Sequence, residues 1–288
     1  LEGMPLLENV FVLAYNKDMF DEFGVDYPTA DWTWDDVLEA AEKFVSGEGA
    51  DATYGMVNHW VDPNFAIICK GGTPYSDDLQ TVEINSPEVA AGLDLFGEMV
   101  QSGAMPDDTA ADSLPKEQLF VSGHAAMYPL GGFETKLIAD EVGDNFDWDV
   151  VTMPKVEGSE INNIMYATGY AMLKTSQNKD AAWTFLKEVG YEDEEMAQVT
   201  ARVGIPGNKT VAEGYYQEIT NGPIDNSKYL EGLSGERLNI WGGVFANAGD
   251  QWTQIWQAVT INGDSGQDAI DTYYPVLEQA FNEANQTE

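Results

Sequence analysis

From Val10 to Tyr15 every residue is apolar or aromatic (VFVLAY), and Asn16 closes the run. A strand carries so unbroken an apolar run when both of its faces are buried, as in a sheet covered on both sides. Lys17 to Gly24 (KDMFDEFG) then reads as a short helix stopped by glycine, so the first unit is a buried strand followed by a helix. The alternation continues. Thr33 can cap a helix with Asp35 and Asp36 in its first turn, and Val37, Leu38, Ala41, Phe44 and Val45 share one face before Gly47 to Gly49 end it. Thr53 to Trp60 is a strand finishing in Asn58, His59 and Trp60, and Phe65 to Cys69 is a buried helix or strand. Thr81 to Ile84 alternates as an edge strand does. Ser86 and Pro87 start a helix with Val89, Leu93, Phe96 and Val100 inside and Gly103 as its stop.

The second half follows the same rhythm. Pro115 to Val121 reads as a helix, Trp148 to Met153 as a strand ended by Pro154, and Lys155 to Asn163 as a polar loop. Met165 to Leu173 is a strand broken by Gly169. After Ser176 to Lys179 comes a helix expected to bury Ala182, Phe185, Leu186 and Val189, then a helix opened by Glu192 to Glu195, and a tight return at Val203 to Gly207. Gly214 to Gly235 is polar and turn-rich. A helix from Gln251 aligns Trp252, Ile255, Trp256 and Val259, and a last helix from Asp268 carries Ile270, Tyr273, Leu277 and Phe281, with a bend expected at Pro275. Short strands alternating with helices define an α/β fold, and no internal repeat is present.

The apolar share, 43%, with 8 Trp, 13 Tyr and 12 Phe, fills a core in a chain long enough for one large domain or two lobes. No run approaches the roughly 18 apolar residues of a membrane span, and Leu1 to Val10 has neither a basic region nor a cleavage site. The 50 acidic residues against 13 basic give a net charge of −37, spread along the chain, which repels phosphate backbones and excludes nucleic acid as a partner. The single cysteine, Cys69, lies in the apolar run FAIIC and forms no internal disulfide.

Ser122 to Phe133 (SGHAAMYPLGGF) has an apolar run opening into Gly131, Gly132 and an aromatic. Two glycines permit a sharp turn and a close approach, so Phe133 either stands at the rim of a cleft as a flat apolar platform or packs beneath a helix. Catalytic signatures are missing. There is no G-x-S-x-G elbow, P-loop or dinucleotide glycine pattern, His59 and His124 lack metal-ligand spacing, and Asn262 to Asp268 reads as a turn rather than a calcium loop. With so many acids, no particular carboxylate pair points to glycoside hydrolysis.

Taken in order, Leu13 to Phe20 (LAYNKDMF), Asn85 to Val89 (NSPEV), Phe120 to Met127 (FVSGHAAM) with its GGF continuation, Trp148 to Pro154 (WDVVTMP), Gly169 to Ala182 (GYAMLKTSQNKDAA) and Gly204 to Pro206 (GIP) resemble a known family. It is the sugar-binding family of extracellular solute-binding proteins of bacterial ABC importers, which includes maltose-binding protein. The resemblance implies a periplasmic-binding-protein-like type II fold of two lobes joined by a hinge. Residues 1–163 and 216–288 would build the second lobe and 164–215 would belong to the first. In the family, the segment like LAYNKDMF follows about a hundred residues, a small domain's worth, so the resemblance implies an incomplete first lobe here and a possible homo-oligomer. By similarity, Phe133 takes the place of an aromatic that stacks on ligand, Trp252 lies near a second such place and Trp60 near a third. Asn58, His59, Tyr166, Arg202 and Trp241 are further candidates, Arg202 alternatively as an inter-lobe ion-pair partner, whereas Trp256 is read as core. The implied function is capture of a carbohydrate, without cofactor or metal, and its delivery to an ABC permease by an extracellular lipoprotein or periplasmic protein. A secreted carbohydrate-active enzyme or surface lectin is the alternative, and peptide or polyamine remains an alternative ligand.

Overall fold

The computed structural model describes residues 4–57, 64–78, 80–107, 115–188, 194–214, 216, 224–234, 236–238 and 245–285. Its centre is the apolar run found first. Strand β2 (Phe11–Asn16) is buried at every position, and its alternate side chains enter different cores. Phe11, Leu13 and Tyr15 join one cluster, and Val10, Val12 and Ala14 join the other. Both faces of the strand are therefore covered, as the unbroken run requires.

β2 lies inside a four-stranded sheet of order β3 (Tyr54–Met56), β4 (Ala125–Gly131), β2, β5 (Trp148–Thr152). It runs antiparallel to β4 and β5, with Leu13 opposite both Pro129 and Val151, while β3 is parallel to β4. Pro129 is tolerated inside β4 because β3 reaches only to Met56, opposite Met127, so no strand seeks the missing N–H beyond it.

One face of this sheet is packed by α1 (Lys17–Phe23), α2 (Trp34–Glu42), α3 (Asn64–Ile68) and α4 (Pro87–Gln101). The helices α1, α2 and α4 start as expected, and 65–69, open between helix and strand in the sequence, falls in and just after helix α3. Asn16 accepts the Met19 N–H, Thr33 and Asp36 form a capping box, and Ser86 accepts the Val89 N–H ahead of Pro87. Gly24 takes the left-handed conformation (φ 67°) that ends α1. The opposite face is packed by α5 (Lys116–Val121), α6 (Thr135–Val142) and residues Tyr216, Ile224 and Tyr229.

A second sheet of three strands has the order β7 (Tyr166–Tyr170), β1 (Met4–Asn9), β8 (Ile205–Pro206), all pairings antiparallel. β1 was not anticipated as a strand, and it pairs with residues 166–170 and 205–206 rather than with the segment that follows it. The helices α7 (Lys179–Lys187), α8 (Glu194–Thr200) and α9 (Lys209–Glu213) belong to this part of the chain. Here one packing expectation fails. In α7 only Leu186 is buried, while Phe185 is 58% exposed and Trp183 45% exposed; Val189 lies outside the described residues. The cause is that β7 itself is open to solvent over Ala167–Tyr170, so no core forms for α7 to face among the described residues.

Other differences are local. Residues 155–163, expected as a polar loop, contain the start of β6 (Ile161–Ile164), which pairs in parallel with β9 (Glu236–Leu238). The turn-rich stretch from 214 contains helix α10 (Ser227–Ser234), whose Gly232 packs on β2 and β6. The expected edge strand at 81–84 is reduced to a single bridge between Tyr75 and Val82. The chain ends in α11 (Phe245–Thr260) and α12 (Gly266–Asn285), and α12 continues through Pro275. Among the described residues no helix is long and apolar enough to cross a membrane.

Candidate functional site

Two crossings lead into the three-stranded sheet, one from β2 of the four-stranded sheet and one from β6 of the two-stranded β6–β9 sheet. Only Val10 separates β1 from β2, and only Met165 separates β6 from β7. The crossings are bonded to each other: Asn163, 1% exposed, accepts the Phe11 N–H at its Oδ1 (3.1 Å) and donates from Nδ2 to the Phe11 carbonyl (2.9 Å). On the second sheet, Asn9 stands opposite Tyr166.

The GGF turn leaves β4 at this place. Gly132 donates its N–H to the Val10 carbonyl (3.3 Å), which ties the turn to the first crossing. Phe133 then stands 38% exposed, with its ring edge-to-face against Phe11 (6.3 Å between centroids, 89°). The glycines serve close approach. A Cβ on Gly131 would fall 2.3 Å from Cε1 of Phe133, so the ring lies over the bare Cα of Gly131. A Cβ on Gly132 would fall 3.2 Å from Oδ1 of Asn9, and one on Gly204, in the GIP return, 2.6 Å from the same atom. Two motif glycines thus make room for one buried amide.

Phe11 is the hub of the aromatic group. Besides Phe133 it meets Tyr166 (5.7 Å, 72°) and Phe65 (5.8 Å, 82°), each near the edge-to-face geometry that aromatic quadrupoles favour. Of the predicted site residues, Phe133 and Tyr166 are brought together on this hub. Trp252, on α11, is 4% exposed and belongs to the same apolar core, with its Nε1 buried and without an acceptor among the described residues. Trp256, one turn on, is core as expected and packs on Phe96 (5.8 Å). Arg202 is exposed on the turn after α8. Asn58, His59, Trp60 and Trp241 lie outside the described residues.

Beneath the turn is a buried polar network with no forerunner in the sequence expectations. Glu134, 7% exposed, accepts the Tyr128 hydroxyl (3.2 Å) and the Gly131 N–H (3.3 Å). Thr135 donates its hydroxyl to the Gly131 carbonyl (3.2 Å) and is 2.5 Å from the Tyr229 hydroxyl. Burial first, then the Glu134 carboxylate, pushes the Tyr128 phenol up, and burial does the same to Tyr229, so both stay neutral donors at neutral pH. Phe11, Asn9, Asn163 and Glu134 were not singled out from sequence. Phe11 is indistinguishable from its apolar neighbours there, but a Glu directly after an aromatic at a glycine turn was a usable signal.

A cleft of about 260 Å³ lies apart from these residues, lined by Thr33, Trp34, Cys69 and Lys70 among others. Its lysines are engaged: Lys70 pairs with Asp35 (2.6 Å) and Lys155 with Asp31. None of the predicted site residues lines it. Among the described residues, no group of three or more His, Cys, Asp or Glu side chains could hold a metal ion.

An α/β chain whose strands β2 and β6, bonded to each other through Asn163, both cross into one further sheet, with an aromatic held beside the crossings, has the architecture of a two-lobed binding protein. Residues 3–193 match the bacterial extracellular solute-binding protein family, and the chain belongs to that family. Its relatives include a maltotriose-binding protein of Pyrococcus abyssi, 24% identical over 263 residues, which are 84% of this chain and 53% of the relative. Among solved structures it is similar to a Listeria monocytogenes ABC substrate-binding protein in complex with cycloalternan (TM-score 0.79, 25% identity, 96% of this chain and 71% of that one). It is similar also to UgpB of Mycobacterium tuberculosis in complex with glycerophosphocholine (TM-score 0.80, 14% identity, 98% and 71%). The fold is the periplasmic-binding-protein type II fold. The chain spans about half the length of the maltotriose-binding relative.

Proposed function

We propose that this chain captures a carbohydrate, an oligosaccharide rather than a monosaccharide, between two lobes and delivers it to the membrane permease of an ABC importer. The observation that carries this reading is Phe133, presented at the crossings on a turn whose geometry depends on Gly131. Sugars offer apolar C–H faces and hydroxyl edges, so an exposed ring beside a hinge is the group they need. The ligands of the Pyrococcus and Listeria relatives, maltotriose and cycloalternan, have that chemistry.

In this reading the four-stranded sheet and its helices form one lobe, while β1 and residues 166–206 contribute to the other. Closure bends the crossings at Val10 and Met165, and a ligand that contacts both lobes favours the closed state by its differential affinity. Tyr166, Trp60, Asn58, His59, Trp241 and Arg202 complete the candidate contacts, whereas Trp252, buried in the core, presents no face to a ligand. A net charge of −37 favours a neutral ligand over a phosphorylated one. The protein acts outside the cytoplasmic membrane, as a lipoprotein or in a periplasm, and binds without turnover.

The test is isothermal titration with maltotriose, maltotetraose, cycloalternan and glycerophosphocholine. It is run on this chain and on the chain together with whatever its gene encodes upstream. Stoichiometric binding of a neutral oligosaccharide, weakened by Phe133→Ala, is expected. Binding of glycerophosphocholine alone, or release of shorter sugars at catalytic protein concentrations, would overturn the reading.

A further inference from the structure

We infer that Glu134 is a positioning residue for the Phe133 platform, a buried carboxylate that fixes the ring's presentation from beneath; the inference rests on the ligand-platform reading of Phe133. Glu134 is the residue before α6, yet its side chain does not cap that helix. Instead it turns back to the residue that supports the ring. The Gly131 N–H goes to Oε1 of Glu134 (3.3 Å), and the Gly131 carbonyl accepts from the Glu134 N–H (3.1 Å) and from the Thr135 hydroxyl (3.2 Å). Both main-chain groups of Gly131 are thus held by the two residues that follow Phe133.

The same carboxylate accepts from the Tyr128 hydroxyl (3.2 Å), which anchors it to the body of β4. Because Thr135 spends its proton on the Gly131 carbonyl, the Tyr229 hydroxyl, 2.5 Å away, is the donor to Thr135, which anchors the turn to α10 as well. A carboxylate buried to 7% exposure is costly unless it is bonded, and a position at a helix N-terminus lowers that cost. In a chain with 50 acidic residues, most of which are solvated, spending one here fits a site where the geometry matters. Phe133 is 38% exposed, so packing covers only part of its ring, and the turn sets where the open face points.

The test replaces Phe133 with 4-fluorophenylalanine and reads its fluorine NMR line, which needs no ligand. In the otherwise native protein one narrow line is expected. Glu134→Ala should broaden it or move it toward the free amino acid's shift, while Glu134→Gln, whose Oε1 still accepts both bonds, should retain the native line. In parallel, maltotriose binding should weaken about fivefold to twentyfold in Glu134→Ala. Added to Phe133→Ala, the same change should cost less than twofold more. An unaltered fluorine line in folded Glu134→Ala would overturn the inference. So would a loss of affinity that is undiminished in the Phe133→Ala background. If Glu134→Ala does not fold, Tyr128→Phe removes one bond of the same network and Thr135→Val removes two; each must disturb the line, and unaltered lines in both refute it. Should maltotriose fail to bind the native protein, the carbohydrate reading falls while the fluorine line still decides whether Glu134 places the ring.

Discussion

Replacing Asn163 with alanine tests whether the two crossings are clamped to each other. β5 reaches only to Thr152, opposite Val12, and the Asn163 carboxamide takes up both main-chain groups of Phe11, at 3.1 and 2.9 Å. Phe11 is fully buried, so alanine leaves a buried N–H and a buried carbonyl without partners. An orphaned buried group costs about 1–3 kcal/mol, and partial relaxation of two such groups leaves a loss of about 2–4 kcal/mol. For a chain of this size that corresponds to a fall in Tm of about 3–7 °C. Urea titration followed by far-UV circular dichroism measures it. Asn163→Asp is the informative partner, because it keeps an acceptor for the Phe11 N–H but sets a charged oxygen against the Phe11 carbonyl. Its folded carboxyl should titrate above the ordinary range, so its deficit relative to wild type should be full at neutral pH and narrow as pH falls through that raised value. A loss below about 0.5 kcal/mol for Asn163→Ala with an unchanged m-value would refute the clamp, since that is the size of an ordinary surface substitution.

Gly131→Ala should displace the Phe133 ring, because its Cβ would lie 2.3 Å from Cε1. Covering the open 38% of the ring is worth about 2 kcal/mol at ~25 cal/mol per Å², so the substitution should raise the Kd for a stacking oligosaccharide by about tenfold to thirtyfold in calorimetry, and a wild-type Kd would sink the platform. Asp36 is held below its usual value of 3.8 by the Thr33 N–H and hydroxyl, so its contribution is present above that value and lost as pH falls through the lower folded one. The gap in urea midpoint between wild type and Asp36→Asn should therefore narrow as pH falls below 3.8 and through the lower folded value. Burial pushes the Cys69 thiol up to about 12, so a thiol reagent at pH 8 should label the native protein only as fast as it unfolds, and prompt labelling without urea would contradict the structure.

What was legible from sequence follows from how each element is stabilised. The run from Val10 to Tyr15, the Thr33 and Ser86 caps and the Gly24 stop are local signals, and each appears where the pattern put it. β1 was missed because MPLLEN has no strict alternation and becomes a strand only through partners more than 150 residues away, at Tyr166–Tyr170 and Ile205–Pro206. α7 forms where the pattern puts it, and only its burial departs from the pattern, for the opposite reason. Its apolar residues have helical spacing, but Trp183 and Phe185 are left exposed among the described residues, and periodicity does not say what a face meets. At the candidate site, the glycines before Phe133 leave both a rim platform and packing beneath a helix open, and the family resemblance singles the ring out. The residues that fix it, Asn9, Phe11, Glu134 and Asn163, act through tertiary hydrogen bonds and ring contacts that no spacing encodes.

Two of the aromatic contacts on the Phe11 hub, those with Phe133 and Tyr166, should behave differently when ligand binds. Phe133 follows β4, and its turn is bonded to Val10 and to Glu134, Thr135 and Tyr128, all on the side of the four-stranded sheet. Phe11 is the first residue of β2 in that same sheet. Tyr166 opens β7, which pairs with β1 in the other sheet. A rotation about the crossings therefore leaves the Phe11–Phe133 pair within one body and places Phe11 and Tyr166 in different bodies. In a ligand-bound crystal structure the 6.3 Å separation of the first pair should hold to within about 0.5 Å, a small shift for a packed pair, while the 5.7 Å separation of the second changes by more. A fluorotyrosine at position 166 should report the same event in solution as a ligand-dependent shift. If the Phe11–Tyr166 pair stayed fixed and the Phe133 ring swung away from Phe11, the moving part would be the turn itself, and closure would not run through Val10 and Met165.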